Sequence, residues 1–308
     1  MSAQLTTLAL DAGQTGIRSL LVSENQSLTE DFEGLRTDLD LFPQLAKVIN
    51  QIVDNREQAI NLAIGMTGLT ESQSKPEQLL KQLSPQVVKV NLVHDSISGF
   101  LGTMGLNQGT VTAVGTGVVT LAVGDKEIAR VDGWGNLIGD AGSAYWIGRA
   151  GLEAAMRSYD GRIEKSKLEK LLDSFSHPEE AYIELQTDAN RVSVIASFAK
   201  EVIELAESDA TAREIIQRAG AELAQSAVTA ARRTGLLEQA SPRFSWAGNV
   251  MKADLLKNSF TDAVARLVPG ASFHEPIGEP INGVALIPNL PADSPLTAVV
   301  HTAERLGN

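Results

Sequence analysis

The chain has 308 residues, 43% of them hydrophobic, which is enough for one large domain or two ordinary ones with cores of their own. Its 26 basic and 38 acidic residues give a formal net charge of −12, which disfavours nucleic acid as a partner. The absence of cysteine excludes disulfides, thiolate metal sites and cysteine-held iron–sulfur clusters. Without an apolar run of roughly 20 residues or a signal-peptide layout, we expect a cytoplasmic protein with no membrane partner.

The first third of the chain alternates strands and helices. Residues 6–12 and 17–24 are rich in leucine and β-formers and flank the turn DAGQTG, which predicts two antiparallel strands. The elements predicted next are a strand, a helix opened by proline, a strand, a short helix and a strand, at residues 27–32, 43–53, 61–68, 76–83 and 87–95. This alternation is typical of an α/β layer.

The layout of strand, glycine turn and strand then recurs. TVTAVGTGVVTLAV, from Thr110, repeats the layout of TLALDAGQTGIRSLLV, from Thr7. The repetition predicts duplication into two similar lobes, with chance similarity of short segments as the alternative. Further predicted elements are helices from Ser143 and at 165–175 and 192–234, strands at 244–247 and 271–274, and a last helix at 293–306.

The two glycine turns are candidate phosphate sites. Glycines in a tight turn present backbone N–H groups without a Cβ in the way, and threonine adds a hydroxyl donor. A carboxylate at Asp11, beside such phosphates, is tolerable only with a divalent cation between them, which predicts a Mg²⁺ position. The alternative is a pair of ordinary hairpins in which Asp11 caps a turn. Because a second turn of the same kind, AVGTGV, occurs later in the chain, we favour the interpretation that the two turns together clamp a polyphosphate.

Two other segments are candidates for ligand contact. Asp95, in VHDSISG, lies between a strand and a helix, at the sheet edge where α/β proteins bind ligands; the alternative is a helix N-cap. The stretch DGWGNLIGDAGSAYWIGRAG (132–151) contains six glycines, two tryptophans and Asp140. Ordering a loop rich in glycine costs conformational entropy, so ligand binding explains this composition better than ordinary packing does. We expect Trp134 to stack on a sugar face there.

The motif order DAGQTG, HDSISG, AVGTGV, GWGNLIGDAGSAYWIG and WAGNV resembles the sugar-kinase branch of the actin, Hsp70 and hexokinase superfamily. More narrowly, it is similar to the N-acetylglucosamine kinases and the BadF/BadG-like ATPases, over essentially the whole chain. The resemblance implies an α/β, two-lobed actin-like ATPase (ribonuclease H-like) fold with a central ligand cleft, use of ATP and Mg²⁺, and a homodimer. We place the N-terminal lobe at residues 1–103 plus 293–308 and the C-terminal lobe at 104–292.

The resemblance also implies roles for individual residues. Asp11 positions Mg²⁺ through water, and Asp95 is the catalytic base. The two phosphate turns and the adenosine contacts are assigned to Gly13, Gln14, Thr15, Gly115, Thr116, Gly117, Gly248 and Asn249. The substrate-binding residues are assigned to Asp38, Thr67, Asp95, Trp134 and Asp140. One nearby carboxylate suffices for the reaction, because phosphoryl transfer depends mostly on positioning and charge neutralisation.

The chain departs from the family pattern at two places that bear on the substrate. Ala141 stands where relatives often have Glu, and Asp38 aligns loosely with an Asn. A carboxylate at position 38 would favour a free amine on the sugar. We therefore expect an ATP-dependent kinase making N-acetylglucosamine 6-phosphate, with glucosamine, N-acetylmannosamine or N-acetylmuramic acid as alternative substrates.

Functions of other classes remain as alternatives to the kinase. A nucleotide or sugar sensor without catalysis would keep the phosphate clamp and lose the chemistry. An activator of a radical dehydratase is excluded because it needs cysteines, and a transcriptional regulator is disfavoured because no basic helix-turn-helix segment precedes Thr6.

Overall fold

The computed structural model describes residues 6–14, 16–22, 27–36, 38–54, 56–70 and 74–305. The chain divides into two compact units. Unit 1 comprises Met1–Gln108 and Pro276–Asn308, and unit 2 comprises Gly109–Glu275. The lobes expected from the sequence assign residues 104–108 and 276–292 to the C-terminal lobe, whereas in the structure both segments belong to unit 1. In the described part of the chain, no helix has the length and apolar character needed to cross a membrane.

The regular elements are numbered in chain order. The strands are β1 (Thr6–Ala12), β2 (Ile17–Val22), β3 (Ser27–Phe32), β4 (Ile60–Met66), β5 (Val87–His94), β6 (Gly109–Val114), β7 (Val118–Val123), β8 (Ile128–Val131), β9 (Arg243–Ala247), β10 (Ser272–Phe273) and β11 (His301–Glu304). The α-helices are α1 (Leu41–Val53), α2 (Pro76–Leu80), α3 (Asp95–Met104), α4 (Ala144–Tyr159), α5 (Ala181–Thr187), α6 (Arg191–Ser197), α7 (Ala199–Leu205), α8 (Ala210–Arg233), α9 (Asp254–Leu267) and α10 (Pro280–Leu286). Short 3₁₀ helices include Lys167–Ser174, Asn249–Lys252 and Pro295–Val299.

Unit 1 is built on a six-stranded mixed sheet in the order β11-β5-β4-β1-β2-β3. Strands β1, β4 and β5 are parallel, and β2, β3 and β11 are antiparallel to their neighbours. The central strand β1 is buried on both faces, with Leu8, Ala9 and Leu10 inaccessible to solvent. Such continuous burial requires an unbroken apolar run, which is why TLAL reads as a core strand. The polar residue that follows, Asp11, therefore stands at the edge of this core.

Unit 2 repeats the same topology. Its five strands have the order β10-β9-β6-β7-β8, with β6, β9 and β10 parallel and β7 and β8 antiparallel. The order β8-β7-β6-β9-β10 therefore matches β3-β2-β1-β4-β5 of unit 1, and each sheet carries its glycine turn after the corresponding first strand. The duplication expected from the sequence is supported by this correspondence.

The predicted long helix at 192–234 is wrong in its continuity, because three helices, α6, α7 and α8, occupy that range. The carboxylate of Asp209 accepts N–H groups from Ala212 and Lys167 and so begins α8 as an N-cap. An extended backbone at this residue ends the preceding helical segment.

The predicted last helix at 293–306 is also wrong. Pro295 begins a 3₁₀ helix, and His301–Glu304 then forms β11 against the edge of β5. The guanidinium of Arg305 donates to the carbonyl oxygens of Leu80, Leu83 and Val87, which fixes the end of this strand. Pairing with an open sheet edge satisfies backbone groups that a helix would have left exposed.

Candidate active site

In unit 1, the residue before Asp95 occupies the N-cap position of α3. His94, the last residue of β5, is the N-cap of α3, and its Nδ1 lies 3.1 Å from the backbone nitrogen of Ser96. Asp95 is the first residue of the helix, and its Oδ1 lies 2.9 Å from the same Nδ1. The hydroxyl of Thr67, which follows β4, also donates to the Asp95 carboxylate. The alternative interpretation of Asp95 as the N-cap is therefore wrong.

These contacts determine the charge of Asp95. Burial favours the neutral acid, but the hydrogen bond and charge of His94, together with the Thr67 and Ser96 donors, outweigh it and leave the pKa of Asp95 below its ordinary value. The lowered pKa favours the ionised form, and because the side chain is 34% exposed the carboxylate is still accessible. An ionised, accessible carboxylate fixed by donors is suited to orienting a hydroxyl group.

Asp11, at the end of β1, has the opposite electrostatic environment. Burial and the charge of Asp95 raise its pKa to about 6, against the lowering effect of Arg18. A bound cation would offset both the burial and the neighbouring negative charge. Among the described residues, no group of three or more His, Cys, Asp or Glu side chains is arranged to hold a metal ion. A cation here would rely on Asp11, water and ligand oxygens, which is how Mg²⁺ commonly binds.

Arg18 is a residue of this region that the sequence analysis missed. It stands opposite Asp11 in the register of β1 and β2, and it forms ion pairs with Asp31 at 2.9 Å and with Glu279 at 2.8 Å. Asp11, Arg18 and Glu279 line a cavity of about 360 Å³. Residues directly opposite each other in an antiparallel pair have their side chains on the same face of the sheet, so Arg18 and Asp11 share a face. The sequence analysis did not specify this register and therefore did not connect the two residues.

The first glycine turn is closed by its own backbone. The N–H of Gly13 donates to the carbonyl of Gly16 at 3.0 Å, and the N–H of Thr67 donates to Ala12 at 3.0 Å. A Cβ on Gly34 would collide with the Gln14 carbonyl, so Gly34 packs directly against this turn. Gln14 itself is exposed, whereas the predicted turn residue Thr15 lies outside the described residues.

In unit 2, the second glycine turn is bound to the start of α4. Gly115 N–H donates to the carbonyl of Gly117 at 2.8 Å, in parallel with the closure of the first turn. The carbonyl oxygens of Gly115 and Thr116 accept N–H groups from Ala144 and Tyr145 at 3.0 and 3.1 Å. These bonds orient the carbonyl groups toward the helix.

Asp140 is buried against this turn. A Cβ on Gly117 would lie 2.6 Å from its Oδ2, and its carboxylate accepts backbone N–H groups of Val118 and Gly135. Burial is the main reason that the pKa of Asp140 is raised, with the charge of Asp132 adding to it. Asp132 and Asp140 both have a positive φ, near 60°, a conformation that is uncommon for residues other than glycine. Asp140 thus contacts the second glycine turn, a link that the sequence analysis missed.

Trp134 and Asp38, both predicted to bind the sugar, are exposed. Trp134 is 62% exposed, with the Arg130 guanidinium 5.4 Å from its ring centroid. Asp38 forms a two-bond ion pair with Arg36 in unit 1, which lowers the pKa of its carboxyl group.

Gly248 and Asn249 lie where β9 leads into the following 3₁₀ helix. Gly248 has φ +96°, and a Cβ there would collide with the carbonyl of Val114 at the end of β6. Asn249 lines a mostly apolar cavity of about 440 Å³ together with Ala144, Ala196, Ala253 and Lys200. Since Ala144 also bonds to Gly115, this cavity adjoins the second glycine turn.

The predicted site residues thus fall into two sets. Unit 1 groups Asp11, Gly13, Thr67 and Asp95 around the carboxyl ends of β1, β4 and β5. Unit 2 groups Gly115, Gly117, Asp140, Gly248 and Asn249 around the end of β6. Asp38 and Trp134 instead contact the arginines described above.

Solved structures show the same architecture. A structure from Chromobacterium violaceum, provisionally described as an N-acetylglucosamine kinase, matches with a TM-score of 0.71 at 20% identity, covering 92% of this chain and 98% of that one. An ROK family glucokinase from Streptomyces griseus, in complex with glucose and AMPPNP, matches with a TM-score of 0.54 at 14% identity, covering 92% and 99%. The fold is that of the actin-like ATPases of the sugar-kinase and ROK type.

The family follows from the sequence comparison. The model of the BadF/BadG/BcrA/BcrD ATPase family matches residues 13–287, and the chain belongs to this family. An N-acetyl-D-glucosamine kinase of Dictyostelium discoideum is 24% identical over 92% of this chain and 93% of that protein. An N-acetylmuramic acid/N-acetylglucosamine kinase of Clostridium acetobutylicum is 32% identical, but the match spans only 39% of this chain and 40% of that protein. Family, relatives and fold together class the chain with the sugar kinases, phosphotransferases that have an alcohol group as acceptor.

Proposed function

We propose that this protein is an ATP-dependent amino-sugar kinase that converts N-acetylglucosamine to N-acetylglucosamine 6-phosphate, with Asp95 as the base. The observation that carries the proposal is the state of Asp95. It lies directly after the N-cap of α3, it is held by Thr67 and His94 with its pKa below the ordinary value, and it acts electrostatically on a second carboxylate, Asp11, whose pKa is raised to about 6.

Asp95 would orient the primary hydroxyl of the sugar and accept its proton. Its low pKa makes it a weak base, which suits a reaction in which the proton leaves late, after bond formation to phosphorus has begun. Thr67 prevents rotation of the carboxylate and so contributes to positioning. Asp11 would hold Mg²⁺ through water, and the cation would offset the burial and the charge of Asp95 that raise the pKa of Asp11.

The nucleotide is assigned to the glycine turns and to unit 2. ATP supplies the transferred phosphoryl group when bound. Gly115, Thr116 and Gly117 would line its phosphates, as would Gly13, Gln14 and Thr15 in unit 1. The cavity at Asn249 adjoins the second turn and has an apolar wall of alanines, which fits a flat purine ring. Gly248 permits the close backbone approach that shapes this cavity.

The sugar is assigned from the names of the relatives and from exposed side chains. Both curated relatives are named as N-acetylglucosamine kinases, and one of them also as an N-acetylmuramic acid kinase. Trp134 offers an exposed ring for a sugar face, and Asp38 offers a carboxylate for polar groups on the sugar. Asp140 would act on the sugar or, through Gly117, on the second turn. Glucosamine, other amino sugars and a sensor without catalysis remain the alternatives.

We also propose that the protein acts in the cytoplasm, where ATP is available, and that it is a homodimer as its family resemblance implies. Light scattering coupled to size-exclusion chromatography would give the molar mass. A value of about 33 kDa, that of the 32.8 kDa chain, would overturn the dimer.

The test of the function is a coupled ADP-release assay with Mg²⁺-ATP against N-acetylglucosamine, glucosamine, N-acetylmannosamine, N-acetylmuramic acid and glucose. We expect the largest kcat/KM with N-acetylglucosamine. An Asp95→Asn preparation serves as the blank for contaminating kinases, and Asp262→Asn, an exposed aspartate on α9, serves as the matched active control. ATP binding without turnover on any sugar would favour the sensor and overturn the proposal.

A further inference from the structure

Three groups compete for one nitrogen atom of His94. Its Nδ1 lies 3.1 Å from the backbone nitrogen of Ser96, 2.9 Å from the Ser96 hydroxyl and 2.9 Å from Oδ1 of Asp95. The backbone N–H can only donate, whereas an ionised carboxylate can only accept. A single ring nitrogen cannot satisfy both of these partners at once. The protonation state of Nδ1 is therefore tied to that of Asp95.

The surroundings favour a proton on Nδ1. An unprotonated Nδ1 would direct its lone pair at the lone pairs of an ionised Asp95 at 2.9 Å, which is repulsive. With the proton on Nδ1, the ring donates to Oδ1, and the N–H of Ser96 has a second acceptor in the Asp95 carboxylate itself. The Nδ1–H of His94 and the backbone N–H of Ser96 are then both paired.

We propose that His94 is a positioning residue for Asp95, whose Nδ1–H donates to Oδ1, prevents rotation of the carboxylate and keeps it ionised for the acceptor hydroxyl. This inference rests on the proposed function only in its last step, the use of Asp95 as the base. The hydrogen bond itself is a property of the free protein.

Other charged groups act on the pair from neighbouring elements. Asp11 on β1 is in electrostatic contact with Asp95, and Asp11 in turn is influenced by Arg18 on β2 and Glu279 on α10. On the adjacent strand β4, the residue paired with His94 is Met66, which is uncharged. His94 is thus the group that stabilises the charge of Asp95 from its own strand.

Two substitutions separate this role from helix capping. Serine and asparagine are both preferred N-caps, so either one at position 94 can accept the Ser96 N–H. Only asparagine also carries an amide N–H that can stand where the ring Nδ1–H stands. His94→Ser therefore supplies an acceptor for the Ser96 N–H and removes the ring N–H, whereas His94→Asn supplies the acceptor and also an N–H in place of the ring N–H.

The first measurement is ¹⁵N NMR of the histidine rings in the free protein at about pH 8. The chain has four histidines, so single substitutions assign their signals. We expect His94 to carry its proton on Nδ1 and to change to the Nε2–H tautomer in Asp95→Ala, while the other three rings stay unchanged. An Nε2–H tautomer in the wild type, unaffected by Asp95→Ala, would overturn the proposal.

The second measurement is the pH dependence of kcat/KM. We expect His94→Ser to lower kcat about tenfold or more, with the sugar KM little changed, and to move the acidic limb of the profile to higher pH. His94→Asn should recover most of the loss, and His301→Asn, on the neighbouring strand β11, should behave as wild type. Equal kcat values and equal acidic limbs in Ser and Asn variants would reduce His94 to a cap and overturn the proposal. A wild type without sugar-dependent turnover would overturn the proposed function, whereas the ring spectra would still decide whether the hydrogen bond exists.

Discussion

Asp11 and Asp95 are neighbouring carboxylates with opposite shifts. The charge of Asp95 helps to raise the pKa of Asp11 to about 6, while the donors around Asp95 keep its own pKa below the ordinary value. One carboxylate is stabilised as an anion by protein donors, and the other lacks that support. This contrast suits the roles proposed for the two residues, a fixed anion at Asp95 and a cation site at Asp11.

The first prediction concerns Asp11 and stability. In metal-free buffer, we expect Asp11→Asn to stabilise the fold by about 1–2 kcal/mol at pH 7.5, after allowance for solvent access. The folded pKa of about 6 exceeds the reference value of 3.8, so the folded state binds the proton more tightly, and wild-type stability falls as pH rises through this interval. Denaturant unfolding at about pH 4 and pH 7.5 would measure the difference, which should nearly vanish at the lower pH. A gain that is equal at both pH values would contradict this explanation.

The second prediction concerns Asp95. Asp95→Asn should lower kcat by about 10²–10⁴-fold while sugar and ATP affinities change only a few-fold, because the variant keeps the shape of the side chain and loses the proton acceptor. Steady-state kinetics combined with calorimetric binding would separate the two effects. Retention of wild-type kcat would remove Asp95 from the role of base.

The third prediction concerns Gly248. Gly248→Ala should weaken ATP binding about tenfold or more and destabilise the fold by about 1–3 kcal/mol, because the added Cβ collides with the Val114 carbonyl. Gly235→Ala is the matched control, since Gly235 also has positive φ, +72°, but nothing lies within 4 Å of its Cβ position. The control should share the backbone strain and keep the ATP affinity. Equal ATP affinities in the two variants would show that the Val114 approach does not shape the nucleotide site.

The fourth prediction concerns Trp134. Trp134→Ala should weaken sugar binding by about 1–2 kcal/mol and leave ATP binding unchanged, because loss of a stacking ring removes contact with the sugar face. Its effect on unfolding should be small, since the ring is 62% exposed in the free protein. Tyr182→Ala, which removes another exposed ring at 61%, is the control. Weakened ATP binding with intact sugar binding would place Trp134 in the nucleotide site.

The fifth prediction concerns Asp38. Asp38→Asn should shift the ratio of kcat/KM for glucosamine and N-acetylglucosamine toward the N-acetyl sugar by about 5–10-fold, because a carboxylate favours a free ammonium group. Thermal stability should be unchanged, since exposed ion pairs contribute little. Arg36→Gln, which removes the partner and keeps the carboxylate, should not produce the shift. An unchanged ratio in Asp38→Asn would mean that Asp38 does not contact the amino group.

Local patterns predicted the strands and turns well because they depend on neighbours in sequence. The apolar run before Asp11 and the glycines after it define a core strand and its turn without reference to the rest of the chain. The assignment of Asp95 to the end of a parallel strand depends on the same local logic. The sequence comparison confirmed the family that these motifs indicated.

Features that depend on distant partners could not be predicted in this way. The Arg18–Glu279 ion pair joins residues 261 positions apart, and the contact of Asp140 with Gly117 requires a folded loop. His94 was passed over because aspartate is the commoner cap, and only the dihedral angles and Nδ1 contacts reveal which residue caps α3. The strand β11 was mistaken for a helix because the open edge of β5 decides its conformation.

The discontinuity of unit 1 has a consequence for synthesis on the ribosome. Unit 2 is one uninterrupted segment, whereas the sheet of unit 1 is completed only by β11, whose partner β5 was translated about 200 residues earlier. The nascent chain therefore carries the open edge of β5 for as long as unit 2 is being made, and limited proteolysis of stalled chains should find unit 2 resistant first. Because unit 2 is complete before β11 is made, we expect unit 2 to fold before unit 1, although unit 1 begins the chain.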